Sequence, residues 1–236
     1  MGDDTPVAVL SSHFRPVSHY FRQNFSQVTN PPIDSLRESK VMSLKTRFGN
    51  LGNILDFDNL TEEDIYVLDS PILTNSQFKK FNKFFSKKIK TIDCTFEIKF
   101  SLKDRIENIK EECETAVREG STTIVLSDKN VSNERASIPS ILSVGAVHSH
   151  LVKLGLRGYC SLNIESSDAL DTHSFAVLIG VGATTVNPYL AIDSIFQRFE
   201  KKLFGKLDFE SCVIKFKKSI DAGLLKIMSK MGISVI

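Results

Sequence analysis

"TTIVLSD", residues 122–128, is a short run of β-branched and apolar residues closed by a polar pair. Helical patterns flank it on both sides. Upstream, "SLKD" at 101–104 reads as a helix cap. Leu102, Ile106, Ile109, Cys113 and Ala116 then recur in alternating steps of four and three, and Gly120 closes the pattern. Downstream, "IPSILSVGAVHSHLVKLGL" at 138–156 is a helix opened by Pro139. A run this short and apolar between two helices predicts a buried strand.

The same alternation extends outward. "KTIDCTFEIKF" (90–100) alternates as a strand, and "GYCSLNIES" (158–166) reads as another. "FAVLIGVGA" (175–183) fits a strand or a buried helix, and a strand is expected. "NPYLAIDSIFQRFEKKLF" (187–204) and "SCVIKFKKSIDAGLLKIMSKM" (211–231) are helices, and "GISVI" (232–236) begins a last strand. The expectation is an α/β fold with a mostly parallel sheet and helical crossovers, open to an incomplete barrel-like arrangement, with a helical N-terminal region.

In that N-terminal region, Val17, Tyr20, Phe21, Phe25 and Val28 fall at helical spacing. Asn30-Pro31-Pro32 ends the pattern, because proline lacks an N–H and disfavours helical geometry in the residue before it. Pro32 then opens "IDSLRESKVM", and "RFGNLGNILDFDNL" (47–60) reads as loop. "TNSQ" (74–77) is a capping box that starts "FKKFNKFFSKK", with Phe78, Phe81 and Phe85 on one face.

Composition narrows the function classes. Lys plus Arg is 30 and Asp plus Glu is 28, so nothing in the charge balance demands nucleic acid or an anionic membrane. The apolar run at 175–183 is too short to span a bilayer, and the acidic "MGDDTP" start is unlike a signal peptide. The four cysteines, 94, 113, 160 and 212, lack paired spacing and read as free buried thiols of a reducing, cytoplasmic compartment.

Each chemical motif has a plainer reading beside it. The lysine–phenylalanine run 78–90 resembles a stacking patch for nucleic acid, yet its helical period suits phenylalanines turned inward and lysines in water. His148 and His150, with Cys160 and His173 not far off, suggest a metal site. On a helix, however, residues two apart point to different faces. "GVGATT" (180–185) carries two of the three glycines of a dinucleotide fingerprint, and a plain turn fits as well. Asp128 and Glu165 stand at strand ends, where α/β folds hold ligands or simply caps.

Longer strings point to a family. "MGDDTPVAVLS", "YFRQNFSQVTNPPIDSLRE", "IPSILSVGAVHSHLVKLGLR", "FAVLIGVGATTVNPYLA" and "GLLKIMSKMGIS" occur in this order along nearly the whole chain. Together they resemble the large subunit of glutamate synthases. The matching part is the central domain, between the glutamine amidotransferase domain and the FMN-binding synthase barrel. The resemblance implies a central domain at 1–207 and a truncated opening segment of the barrel at 208–236. In the family, glutamine is hydrolysed at an amino-terminal cysteine and ammonia travels through an internal tunnel. It meets 2-oxoglutarate at the FMN site to give a second glutamate.

By that resemblance the chain holds no catalytic residue, no metal and no cofactor of its own. Residue 1 is Met, not the cysteine nucleophile, and FMN and the iron–sulfur cluster belong to other parts of the parent. The isolated segment is therefore expected to be inactive. The backbone at Thr29 and Asn30 is expected to line the ammonia tunnel, and Met1 and Gly2 to approach the 2-oxoglutarate side. The expected partners are the amidotransferase and synthase domains of the same polypeptide, with no nucleic acid and no membrane. His148-Ser149-His150 and His173-Ser174 depart from the family's usual histidine runs. Two other readings stay open: an autonomous flavin- or nucleotide-binding module using 180–185, and an interaction module for a separately encoded amidotransferase. Leu224, Leu225, Ile227, Met228 and Met231 are expected to be short of partner surface, leaving the last twenty or so residues displaced or packed on a neighbour.

Overall fold

The structure is a computed structural model that describes residues 8–21, 33–34, 36–48 and 66–236. Its N-terminal part is built from short pieces. Single 3-10 turns occupy Ala8–Leu10 and Val17–Tyr20, and Phe21 is extended, so the helix expected from Val17 is only one turn in the described residues. The Asp34 carboxylate accepts from the backbone N–H of Leu36 and Arg37, each at 3.0 Å, so the chain makes a side-chain-capped turn first. Helix α1 is then only Glu38–Val41. Strands β1 (Thr46–Phe48) and β2 (Tyr66–Leu68) pair antiparallel. The expectation of loop from residue 47 thus gives way to a strand at its start.

Helix α2 (Asn75–Phe84) begins with the capping box read from "TNSQ": Thr74 Oγ1 accepts from the Gln77 N–H, and the Gln77 side chain from the Thr74 N–H. Phe78, Phe81 and Phe85 are buried and pack on Phe48 and Leu68, with the Phe48 and Phe81 rings 5.0 Å apart and edge-on. Strand β3 (Ile89–Asp93) follows, then β4 (Thr95–Glu97). The single strand expected at 90–100 breaks at Cys94. Asp93 Oδ1 accepts from Thr95 N (2.9 Å) and Oγ1 (2.7 Å), while Arg105 Nη2 donates to the Asp93 carbonyl at 2.6 Å. These bonds turn the chain out of one sheet and into another.

Helix α3 (Leu102–Arg118) carries the predicted Ser101 cap and buries Ile109, Cys113 and Ala116. Strand β5 (Thr123–Ser127) is the stretch that opened the sequence reading, and all five of its residues are buried. Strand β6 (Arg135–Ser137), which sequence did not signal, pairs antiparallel with β4. Helix α4 (Ser140–Lys153) starts after Pro139, and β7 (Ser161–Glu165) follows. Helix α5 is Thr172–Gly180 and β8 is Thr185–Asn187; α6 (Tyr189–Glu200) and α7 (Phe209–Met231) complete the chain.

The central sheet is parallel, in the order β3-β5-β7-β8. Ile72 bridges to Val186 beside β8, which widens that edge. The fold is therefore α/β around a four-strand parallel sheet. One correction concerns "FAVLIGVGA": it is the helix α5 with its following turn, not a strand. Asp171 Oδ1 accepts from both the N–H (2.8 Å) and the hydroxyl (2.6 Å) of Ser174, which fixes a helix start just before the apolar run. The helix is apolar all round because it lies between α4 and α7. The fourth strand is Thr185–Asn187 instead.

One sheet face carries Ile92, Ile124, Leu126, Leu162, Ile164 and Val186 and forms the main core with α3, α4 and α5. Helix α7 docks on the same core. Ile220, Leu224 and Met228 are buried in it, Leu225 packs against it, and Met231 is 40% exposed. The expected shortage of partner surface is met within the chain. The tail also bonds back to the N-terminal part: Ser43 N–H donates to the Ser234 carbonyl at 2.9 Å, and Ser43 bridges Val235.

Candidate functional site

The carboxyl ends of the parallel strands meet in one polar network. Glu165, last in β7, accepts from Ser127 Oγ at 2.6 Å and from Lys129 Nζ at 3.1 Å. Asp128, one residue past β5, is 3% exposed. It accepts from Ser167 through the backbone N–H (2.9 Å) and the hydroxyl (2.6 Å), and from the Tyr189 hydroxyl. Burial pushes the Asp128 carboxyl above its usual range, against the pull of those hydrogen bonds, and the nearby Asp168 charge adds to the rise. Burial and the Asp128 charge likewise raise the Tyr189 phenol.

The network continues sideways. Ser166 Oγ donates to Asp168 Oδ1 at 2.5 Å, and Asp168 Oδ2 accepts from the N–H of Ser140, the first residue of α4. A carboxylate with donors on this scale acts as a brace. Asp128 and Asp168 hold the loop after β7, and that loop carries Asp171, the cap of α5. Of the two sequence-level readings for Asp128, the cap-and-turn one describes its contacts.

The histidines do not converge. His150 Nε2 lies 2.9 Å from Glu114 Oε2, and His148 Nδ1 accepts from Arg157 Nε at 3.2 Å. His173 Nε2 donates to the Ser18 carbonyl at 2.8 Å. Among the described residues no group of three His, Cys, Asp or Glu side chains is placed to hold a metal ion. All four cysteines are free and buried, and burial pushes the Cys94 thiol up to about 12.

"GVGATT" spans the turn from α5 into β8, at the amino edge of the sheet, opposite the edge where such sheets hold ligands. Arg157 clamps this turn, donating to the carbonyls of Gly182 (2.9 Å) and Cys160 (2.6 Å). Gly182 has φ +117°, and a Cβ there would meet His148 Nδ1 at 2.3 Å. Close packing accounts for that glycine.

Met1, Gly2, Thr29 and Asn30 lie outside the described residues, as do Pro31 and Pro32. What sequence reading missed is the second face of the sheet. Thr123, Asn163, Thr185 and Asn187 are buried there although polar. Asn163 Nδ2 bonds the Ile124 carbonyl and Thr185 Oγ1 bonds Asn163 Oδ1. The signal was present as period-two polar residues inside strands read as simply buried.

The family follows from comparison. A family model described as the glutamate synthase central domain matches residues 1–236. The chain belongs to this family. The NADPH glutamate synthase large chain of Azospirillum brasilense is 54% identical over 239 residues, covering 100% of this chain and 16% of that one. The corresponding large chain of Bacillus subtilis is 38% identical, and the chloroplastic ferredoxin-dependent glutamate synthase of Spinacia oleracea 39%, each covering 100% of this chain and 15% of its own. The glutamate synthase central domain here thus spans about a sixth of the curated relatives it matches. A mutant flavocytochrome b2 solved with benzoylformate aligns over 68% of this chain and 35% of its own, at TM-score 0.40 and 11% identity. No helix among the described residues is long and apolar enough to cross a membrane.

Proposed function

We propose that this chain is the non-catalytic central domain of a glutamate synthase. It joins an amidotransferase site to a synthase site and lines part of the tunnel between them. The observation that carries the reading is the 54% identity across the whole chain to a glutamate synthase large chain of which it is 16%. The chemistry then belongs to the remaining polypeptide, including FMN and the iron–sulfur cluster of the parent, in the cytoplasm. The central domain would comprise 1–207, with 208–236 leading toward the synthase barrel.

The tunnel role assigned to Thr29 and Asn30 has a physical rationale. Neutral ammonia donates hydrogen bonds, and main-chain carbonyls accept them without placing a full charge in the path. A helix would engage those carbonyls internally, whereas Pro31 and Pro32 have no N–H to support a helical ladder. Met1 and Gly2 would lie toward the 2-oxoglutarate side. The test is direct. The purified 236-residue chain, its fold checked by circular dichroism, is assayed for glutamine hydrolysis and for glutamate formation from 2-oxoglutarate. Neither should exceed a buffer control, and reproducible turnover in independent preparations would refute the reading.

A further inference from the structure

Helix α2 lies across the polar face of the sheet, and a cavity of ≈ 310 Å³ remains between them toward the carboxyl edge. Val125 and Phe78 contribute its apolar wall, and Lys79, Asn82, Thr91, Lys129, Glu165 and Asn187 its polar one. Lys79 and Asn82 come from the lysine–phenylalanine run, three residues apart on one helix face. The phenylalanines of that run turn inward as expected, but Lys79 faces this cavity.

The lining is uneven in a way that defines a ligand. Lys79 and Lys129 are exposed cations at the mouth, with Lys83 one turn further along α2. Glu165 is the opposite: its side chain is only 12% exposed and its second oxygen is held by Ser127. The Lys129 side chain paired with it is 60% exposed and also lies over the Tyr189 ring, 5.5 Å from its centroid. The amide oxygen of Asn82 is buried with no hydrogen-bond partner, which is costly for an acceptor taken out of water. Asn187 is committed elsewhere, donating to the Leu73 carbonyl and to Asn75 Oδ1. The site therefore offers the lysines for an anionic group and, for a donor, the unmet Asn82 oxygen together with the Glu165 carboxylate that Lys129 now neutralises. A bare anion leaves the Asn82 oxygen unmet, and a bare cation meets the lysines. The volume is at the low end for metabolite sites, which suits a small ligand.

We propose that this cavity binds a small α-amino acid, with its carboxylate on Lys79 and Lys129 and its ammonium toward Glu165 and the Asn82 amide oxygen. The proposal does not depend on the activity of the parent. It concerns an edge of the sheet remote in sequence from the tunnel residues, and it adds a ligand to a domain assigned no chemistry.

The test is amide hydrogen exchange, read by mass spectrometry, on the full polypeptide that carries this chain. The probes are glycine, L-serine, L-glutamate and L-glutamine, with acetate, inorganic phosphate and ethylamine as single-group controls. Peptides covering 75–84 and 127–131 should exchange more slowly with at least one amino acid, saturably, and not with any control. Lys79→Ala should raise the half-saturating concentration about tenfold, the size of one charge-assisted hydrogen bond. Lys80→Ala, one residue away on another face, should leave it unchanged. Lys79 is exposed, so its loss should not unfold the domain. Absence of protection with every amino acid would overturn the proposal, as would equal protection by acetate or phosphate. Protection that persists unchanged in Lys79→Ala would place the effect elsewhere and overturn it too.

Discussion

Replacing Gly182 with alanine should be among the most damaging single-methyl changes in this domain. Two separate penalties meet there. The backbone sits at φ +117°, where an L side chain is strained by about 1–2 kcal/mol or more. The new Cβ would also lie 2.3 Å from His148 Nδ1 and 2.4 Å from its Cγ. Retreat of the ring is opposed, because His148 Nδ1 accepts from Arg157 Nε and the same guanidinium holds the Gly182 carbonyl. Overpacking of this kind costs about 1–3 kcal/mol. The sum is about 2–5 kcal/mol, which lowers the melting temperature of a chain this size by roughly 4–20 °C. Gly120→Ala is the control: φ is +95°, but nothing lies within 4 Å of the added Cβ, so only strain remains. Melting followed by circular dichroism should show Gly182→Ala losing clearly more than Gly120→Ala. Adding His148→Ala to Gly182→Ala should recover part of that excess. Equal losses at the two glycines, or no recovery in the double variant, would refute the packing account of the turn.

Three further outcomes follow from buried groups. Asp128→Asn should destabilise by about 1–3 kcal/mol, since an amide cannot serve all the donors of Ser167 and Tyr189. The carboxyl pKa is raised in the folded state above 3.8, so its stabilising share is complete below 3.8 and is lost as pH rises through the folded value. Urea titrations should accordingly show the wild-type advantage over Asp128→Asn shrinking as pH rises above 4, and a gap that widens would contradict this. Leu162→Ala, at a fully buried position in β7, should cost about 2–5 kcal/mol by urea denaturation. A thiol reagent at pH 8 should modify none of the four buried cysteines until the chain is unfolded, with Cys94, held up to about 12, a particularly slow one.

The parallel sheet was legible because its strands are bounded by strong local signals. Caps at Ser101 and Thr74 and the proline at 139 fix where helices begin, and the runs between them are short. Reading failed where side chains far apart in sequence decide the outcome. Cys94 looks like mid-strand, but Arg105 and Arg135 pull on Asp93 from 12 and 42 residues away and turn the chain there. "FAVLIGVGA" has no periodicity of its own, and the Asp171–Ser174 cap decides it from just outside the run. Strands β2 and β6 are three residues each, too short to signal themselves. The cavity by α2 could not be read, because Lys79 and Asn82 meet Lys129, Glu165 and Asn187 only when the helix crosses the sheet.

We propose that residues 27–34 act through their backbone as a wall for ammonia, and this is the central claim. Its most direct test replaces Pro31 and Pro32 with alanine in the full-length polypeptide and measures two fluxes at once, glutamine consumed and glutamate formed from 2-oxoglutarate. Alanine favours helical backbone across this stretch, in which the carbonyls would be engaged internally. The account predicts that glutamine consumption outruns glutamate formation, while activity with added ammonium changes less and Thr29→Ser stays near the wild-type ratio. A double alanine variant that folds and keeps the wild-type ratio would contradict it.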